Sequence, residues 1–316
     1  MRVLQVLLVF ATVQVNGRIL PDTSHLTDAE IKDNDNRDLH RRVLPRDHLS
    51  KCSPPTYGTP YYRRDGQETG HNDTFWKRMK LPPSQEQMGR FMLEETGGAH
   101  AWPIVWDSRG SDMNTADFET FRNRRKEFSF QTHGLIGCTV LAIISRKGVY
   151  IAHYWESISF SIEQEWLEKY KTQERAFDET VIQALNNGIK GQQKSLRSHK
   201  PEVDDEHIRA YLMRPFDSYD ETEDGYRDKW NRMKDTVGDI LPTLKDESRW
   251  TEIIYHRVAS SEDLNGPRGR CLFKFDPKHP TGNGDTTTKS TRFWSEANFR
   301  PWHEDDWDST APTAEG

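Results

Sequence analysis

The sequence Gly137-Cys-Thr-Val-Leu-Ala-Ile-Ile-Ser145, followed by Arg146-Lys147-Gly148 and then Val149-Tyr-Ile-Ala-His-Tyr-Trp155, decides the fold. Apolar residues fill both alternating sets of positions in the two long runs, which is typical of strands covered on both faces. The three residues between them have the chemistry of a turn. The stretch therefore predicts a pair of neighbouring strands at the centre of a sheet.

Further elements are expected on both sides of these strands. Alternating residues at 127–131 predict a short strand, and a Ser followed by acidic residues predicts a helix start near residue 161. Helices are expected over 161–170, 176–187 and 226–240, strands over 250–258 and 270–275, and either a strand or the end of a helix over 207–213. This order favours an α+β fold, with a mixed or antiparallel β-sheet core and flanking helices, over regular βαβ alternation.

Composition limits the protein classes. The chain has 316 residues, with 44 basic and 50 acidic side chains, a net charge of −6, and 10 Trp, 14 Phe and 10 Tyr. The net negative charge excludes a generally basic nucleic-acid binder, and a single long apolar run excludes a polytopic membrane protein. We expect one domain over 52–303 with its core at about 127–277, irregular or short helical pieces over 52–125, and a disordered acidic tail over 304–316.

The N-terminus predicts export. Residues 1–17 combine a short basic start, an apolar run too short for a membrane span, and a small residue at the expected cleavage point, all typical of a secretory signal peptide. The alternative is a retained anchor or a buried N-terminal strand. Residues 18–51 are charged and interrupted by proline, which predicts a flexible or pro-like arm. Arg41-Arg42 in this arm is either a processing site or part of a solvated tail.

The three cysteines suggest one disulfide and one free thiol in a secreted protein. Cys52 lies in a proline-rich segment and Cys271 begins a strand-like run, so we expect these two to pair. Cys138 lies within the apolar stretch and is expected to be free. Three reduced thiols or another pairing remain open. The sequon at Asn72 is a candidate glycosylation site.

Three side chains near the hairpin can carry chemistry. With Arg146-Lys147 at the tip of the turn, Cys138 faces Trp155 and shares one side of the sheet with His153; a tighter turn would make Cys138 face His153 directly. An imidazole next to a thiol can take its proton and later protonate a leaving group. Thr132 could hold the imidazole in one tautomer. Gly137 would let the backbone approach a substrate.

A structural interpretation competes with the catalytic one. A cysteine within an apolar strand is usually a small core residue, and a histidine beside two aromatic residues is usually a hydrogen-bonded core or surface side chain. Neither would take part in a reaction. No metal site is expected, because His71, His100 and His133 lack metal-ligand spacing.

The segment Thr132-His-Gly-Leu-Ile-Gly-Cys138-Thr-Val, together with Ala152-His153, resembles the active-site segment of the superfamily of cytotoxic necrotizing factors and bacterial chemotaxis deamidases. Its members carry a Leu-Ser-Gly-Cys-like turn, an upstream Thr or carbonyl group, and a His on the following strand. They deamidate glutamine side chains of proteins. Ile136 stands here in place of the usual Ser, and the resemblance covers only residues 132–153. Three segments also resemble fungal secreted proteins of unassigned activity: Gly137-Cys-Thr-Val-Leu, Ala152-His-Tyr-Trp-Glu156 and Leu272-Phe-Lys-Phe-Asp-Pro277.

This resemblance implies a secreted, cysteine-dependent glutamine deamidase of the toxin or effector type, with transglutamination as a side activity. Cys138 would be the nucleophile, His153 the acid and base, and Thr132 the group that orients His153. A protein substrate is the expected partner, with no cofactor, no nucleic acid and no membrane span; the oligomeric state stays open. The rival interpretation is a non-catalytic secreted effector or binding protein. A cysteine hydrolase or an ADP-ribosyl-transferring toxin is a third class.

Overall fold

The computed structural model describes residues 51–52, 79–97, 101–103, 113–219, 225–257, 266–281 and 286–308, all within the compact unit Pro45–Gly316. For residues 101–103 only the backbone is described. The expected signal peptide, nearly all of the expected arm, and the sequon at Asn72 lie outside the described residues.

The α+β prediction is confirmed, with two mixed five-stranded sheets. Sheet I has the strand order β1-β3-β8-β9-β10 and sheet II the order β2-β5-β4-β6-β7. Each sheet has one parallel pair, β1 with β3 and β6 with β7, and its other pairs are antiparallel. The strands are β1 Ala101–Pro103, β2 Thr115–Thr120, β3 Phe128–Thr132, β4 Thr139–Ile144, β5 Gly148–Tyr154, β6 Arg209–Pro215, β7 Trp250–Tyr255, β8 Cys271–Pro280, β9 Thr287–Ser295 and β10 His303–Trp307.

The central hairpin is formed by β4 and β5, as predicted. Every residue of both strands is buried. The amide of Ser145 donates to the carbonyl oxygen of Gly148 at 3.0 Å, which leaves Arg146 and Lys147 at the tip. Alternate residues face opposite layers: Val140 and Ala142 pack toward sheet I, whereas Leu141 and Ile143 pack toward helices. This double coverage explains the unbroken apolar sequence.

Helices cover the outer faces of both sheets. Helix α1, Met88–Gly97, packs on sheet I through Met88, Phe91 and Met92 against Leu272 and Trp294. The remaining helical segments are α2 Gln164–Tyr170, α3 Gln173–Phe177, α4 Gln183–Asn187, α5 Lys200–Val203 and α6 Arg227–Ile240; π-helical turns at Glu156–Phe160 and Asp178–Ile182, and 3-10 turns at Pro242–Lys245 and Glu247–Arg249, complete the set. Helices predicted at 161–170, 176–187 and 226–240 are thus confirmed with shifted ends. None of the helices described here is both long enough and apolar enough to cross a bilayer.

Two sequence expectations about strands are wrong. Residues 115–120 form β2, an edge strand of sheet II, instead of an irregular or helical piece. The tail expected to be disordered from Glu304 begins instead with β10, which pairs with β9 from His303 to Trp307. Its acidic side chains have partners: the guanidinium of Arg146 donates twice to Asp305, at 2.8 Å each, and Arg292 binds Asp306. Residues 309–316 lie outside the described residues.

Candidate active site between the two sheets

The hairpin register places Cys138 and His153 on the same face of sheet II. His153 lies opposite Val140, and Tyr154 lies opposite Thr139, so Cys138 follows at the position facing Trp155. This is the first of the two registers expected from the sequence. The shared face points into the space between the sheets, where Cys138 packs in the common core.

Thr132 reaches the same space from sheet I. It is the last residue of β3, and its hydroxyl lies 3.1 Å from Nδ1 of His153, so the contact joins the two sheets. Both side chains are fully buried. The ring of His153 also packs on Trp155, with 4.5 Å between ring centroids. These contacts fix the position of the imidazole, and the hydrogen bond on Nδ1 is of the kind that selects a tautomer.

The disulfide differs from the one expected. Cys138 is bonded to Cys52, with their Cα atoms 5.5 Å apart, and the buried Cys271 keeps its thiol. The expected pairing of Cys52 with Cys271 and the expected free thiol at Cys138 are therefore wrong. The two bonded sulfur atoms and one ring nitrogen of His153 all lie within 4.8 Å of one another.

The backbone of Cys52 explains why it reaches this interior. Its amide donates to Oε2 of Glu156 at 3.1 Å, and its carbonyl accepts from the amide of Ser157 at 3.1 Å. These two bonds direct its side chain toward Cys138. Cys271 begins β8 opposite Thr132, and burial raises the pKa of its thiol to about 12. It is therefore a poor nucleophile at neutral pH.

A buried ion pair lies beside the disulfide, and no sequence pattern indicated it. Arg257 donates two bonds to the carboxylate of Glu156, at 2.5 and 2.6 Å, and their side chains are 2% and 0% exposed. The hydroxyl of Tyr226 and the amide of Tyr219 also donate to this carboxylate, at 2.8 and 3.0 Å. Burial, with the nearby charge of Glu156, raises the pKa of Tyr226. The carboxylate thus accepts five hydrogen bonds, counting the one from Cys52.

This ion pair also explains Gly137. A Cβ atom at that position would lie 2.2 Å from Oε2 of Glu156 and 2.7 Å from Nη2 of Arg257. The ion pair is therefore what lies close to Gly137, whereas the sequence predicted that this glycine lets the backbone approach a substrate. On the next residue, the hydroxyl of Tyr255 donates to the carbonyl of Cys138 at 2.7 Å. The turn that carries the sulfur is therefore held from two sides.

The chemistry available depends on the oxidation state of this pair of sulfurs. In the oxidised form Cys138 has no thiolate, and neither Cys138 nor His153 has exposed surface. After reduction, two thiols and an imidazole would lie together, a set that can act as a nucleophile with its base. The same set consists of Zn²⁺ ligand types, but the sulfur–sulfur bond prevents both sulfurs from binding a metal as thiolates in this form.

Of the three histidines expected not to form a metal site, only His133 lies within the described residues. His133 lies in the turn after β3, with Nδ1 3.1 Å from the Gln131 side-chain oxygen, and burial together with the charge of Arg270 lowers its pKa to about 4. His71 and His100 lie outside the described residues.

Comparison of the chain with family models, with curated proteins and with solved structures gives no match.

Proposed function

We propose that this protein is a secreted, cysteine-dependent glutamine deamidase that is inactive while Cys138 is bonded to Cys52. The observation that carries the proposal is the hydrogen bond between the hydroxyl of Thr132 and Nδ1 of His153, with a ring nitrogen of His153 within 4.8 Å of the Cys138 sulfur. The apolar N-terminal run supports secretion. The disulfide is compatible with an oxidising compartment.

The reaction begins with reduction. An external dithiol cleaves the Cys52–Cys138 bond, becomes oxidised itself, and leaves two thiols on the protein. His153 takes the proton of Cys138, and the thiolate attacks the carboxamide carbon of a glutamine side chain. Backbone N–H groups near Cys138 would stabilise the oxyanion. Thr132 acts as a positioning residue, because its contact is with His153.

The second half of the reaction regenerates the free enzyme. The carbon–nitrogen bond breaks, and ammonia leaves with a proton from His153, which leaves a thioester on Cys138. His153 then takes a proton from water, and the resulting hydroxide cleaves the thioester to glutamate and the Cys138 thiol. An amine in place of water would give a transglutaminated product. Every group that moves a proton in this scheme is a side chain of this chain or a substrate.

The test compares oxidised and reduced protein on a mixture of proteins. Full-length chain, with and without dithiothreitol, is incubated with the soluble fraction of a cell lysate. Mass spectrometry then maps glutamines converted to glutamate. We expect conversion by reduced protein only, and a loss of at least about a thousandfold in Cys138→Ser. Cys271→Ser is the matched control, since it removes the other buried cysteine and should keep full conversion.

Alkylation gives a readout that needs no substrate. In reduced protein at neutral pH, iodoacetamide should modify Cys138 faster than Cys271, because burial raises the pKa of Cys271 to about 12. Slow alkylation of Cys138, with no glutamine conversion that depends on it, would exclude the enzyme.

The complete burial of the three candidate catalytic side chains favours a second candidate function. Cys138, His153 and Thr132 have no exposed surface. In a non-catalytic secreted effector or binding protein, the Cys52–Cys138 bond would simply fasten Lys51 and Cys52 to the core. That function predicts that Cys138→Ser, once folded, binds its partner as the wild type does, and that reduction alters stability only.

A further inference from the structure

Lys51 and Cys52 lie on the core in the manner of a bound peptide. The backbone N–H and C=O of Cys52 bond to two consecutive residues, the carboxylate of Glu156 and the amide of Ser157, at 3.1 Å each. Backbone contacts of this kind do not depend on the side chain of the bound residue. Any extended segment that brings its backbone to the same place can form them.

The receiving groups are held in place whatever is bound. The carboxylate of Glu156 is fixed by Arg257 and by the hydroxyl of Tyr226. Ser157 follows it in the π-helical turn Glu156–Phe160. A position for the bound backbone therefore exists independently of Cys52, with the sulfur of Cys138 at its inner end.

The residue before Cys52 meets an aromatic surface. The ammonium of Lys51 lies 4.5 Å from the ring centroid of Tyr219, whose side chain is 37% exposed. The backbone amide of Tyr219 donates to Glu156 at 3.0 Å, so the backbone that carries this ring is held by the same carboxylate that holds Cys52. A cation over a tyrosine face is attractive, and a neutral or acidic side chain lacks this attraction.

We propose that Lys51 and Cys52 occupy the peptide-binding subsite of this protein, and that after reduction the subsite accepts an extended segment of a partner protein with Lys or Arg immediately before the residue that enters toward Cys138. For the identity of that entering residue, a glutamine, the inference rests on the proposed function. The subsite itself does not, because its contacts are those of the backbone and of a cation.

A disulfide-capture experiment measures the preference directly. The probe is the peptide of residues 48–55, His-Leu-Ser-Lys-Cys-Ser-Pro-Pro, with its cysteine activated as a 2-pyridyl disulfide. The full-length Lys51→Ala/Cys52→Ala double variant, reduced and desalted, lacks the competing sulfur and ammonium groups, and its remaining backbone competes equally with every peptide compared. The Cys138 thiolate attacks the peptide sulfur, a new disulfide forms, and 2-thiopyridone leaves with a proton and is followed by its absorbance.

We expect the Lys peptide to react about two- to fivefold faster than the same peptide with Ala at position 51, and the peptide with Glu to be no faster than the one with Ala. Arg at that position should restore the rate. Tyr219→Ala in the protein should abolish the difference between peptides, whereas Cys271→Ser should leave it intact. Cys52→Ser alone can replace the double variant if that variant does not fold, with the same ranking of peptides expected.

Two results would overturn the subsite. One is equal rates for the Lys, Ala and Glu peptides; the other is a Cys138 thiol that fails to react even with the small reagent 2,2′-dithiodipyridine. The fates of the two proposals can be told apart. Glutamine conversion without a basic residue preceding the modified sites would refute the subsite and keep the enzyme. Lysine-dependent capture without any glutamine conversion would keep the subsite and refute the enzyme.

Discussion

Two buried histidines join the sheets of this protein, and they differ in what surrounds them. His153 on sheet II contacts Thr132 on sheet I through Nδ1, at 3.1 Å. His303 on sheet I contacts the hydroxyl of Tyr211 on sheet II through Nδ1, at 2.8 Å. Both imidazoles are nearly or fully inaccessible to solvent, at 5% exposure or less. A buried histidine between sheets is therefore not by itself a sign of catalysis here.

The two histidines differ in the groups that surround their rings. Both ring nitrogens of His303 contact hydroxyl groups, since Nε2 lies 3.1 Å from Oγ1 of Thr291. Burial lowers its pKa to about 4, with the cations Arg292 and Arg209 acting in the same direction and Asp305 against it. His153 instead has two sulfur atoms within 4.8 Å of a ring nitrogen. The sulfur is what makes the His153 end of the core a candidate active site and the His303 end a structural one.

The largest predicted effect is a loss of stability at the His153 end when the Cys52–Cys138 bond is reduced. The Cys52–Cys138 bond spans 86 residues of sequence, and closing a loop of that size stabilises the fold by about 4–5 kcal/mol in the chain-entropy account. Cys52→Ser should lower the free energy of unfolding by that order in urea titrations, and dithiothreitol should do the same to wild type. Cys271→Ser serves as the control that keeps the dithiothreitol effect. Equal stability of oxidised and reduced wild type would refute a stabilising role for this bond.

The second-largest predicted effect is a dependence of folding stability on pH, which arises from His303. The folded pKa of about 4 lies below the ordinary value of 6.5, so between these values the unfolded chain binds more protons than the folded one. Stability is therefore lost as the pH falls from 6.5 to 4, by about 3 kcal/mol. His303→Gln should flatten this part of the stability curve.

His133 must be separated from His303 in that measurement. Its pKa is also lowered to about 4, so it contributes loss of stability in the same pH range. The informative quantity is the difference in slope between His303→Gln and wild type, measured by urea unfolding at several pH values. Identical slopes would show that His303 is not the neutral, buried imidazole described here.

The sequence predicts the centre of the fold well and its margins poorly. The unbroken apolar runs of β4 and β5, with a turn between them, predict the hairpin and leave two registers open, of which the structure has the first. By contrast, β9 buries Thr288, Ser290 and Arg292, so its sequence does not resemble that of a core strand. Strand β10 is acidic, and its pairing with β9 and with Arg146 is a tertiary effect. The local sequence of a strand does not indicate a pairing of this kind, because its partners are distant in the chain.

The candidate site likewise has a part that the sequence predicts and a part that it does not. The face shared by Cys138 and His153 follows from the two-residue period of strands, and the contact with Thr132 agrees with the sequence expectation. The disulfide partner does not follow, because connectivity cannot be deduced from cysteine positions. Glu156 and Arg257 gave no signal either: charged residues are expected at the surface, and only the fold shows that these two are buried together.

The smallest effects give the sharpest comparison, since one threonine contacts each histidine. Thr132→Val and Thr291→Val each remove one hydroxyl contact and should each cost about 1 kcal/mol of stability. Only Thr132→Val should also slow alkylation of Cys138 in reduced protein and shift the pH profile of that reaction. Equal alkylation rates in the two variants would remove Thr132 from its positioning role.

Strand β10 has a consequence for the behaviour of the protein in solution. It forms one edge of sheet I and carries Glu304, Asp305 and Asp306 in succession. The carboxylates of all three pair with Arg292 or Arg146, and an outer strand that carries such charged groups is a poorer template for a second molecule than an apolar one. A truncation before His303 would leave the longer, mostly buried β9 as the outer strand. We expect that shortened chain to aggregate more readily than the full chain.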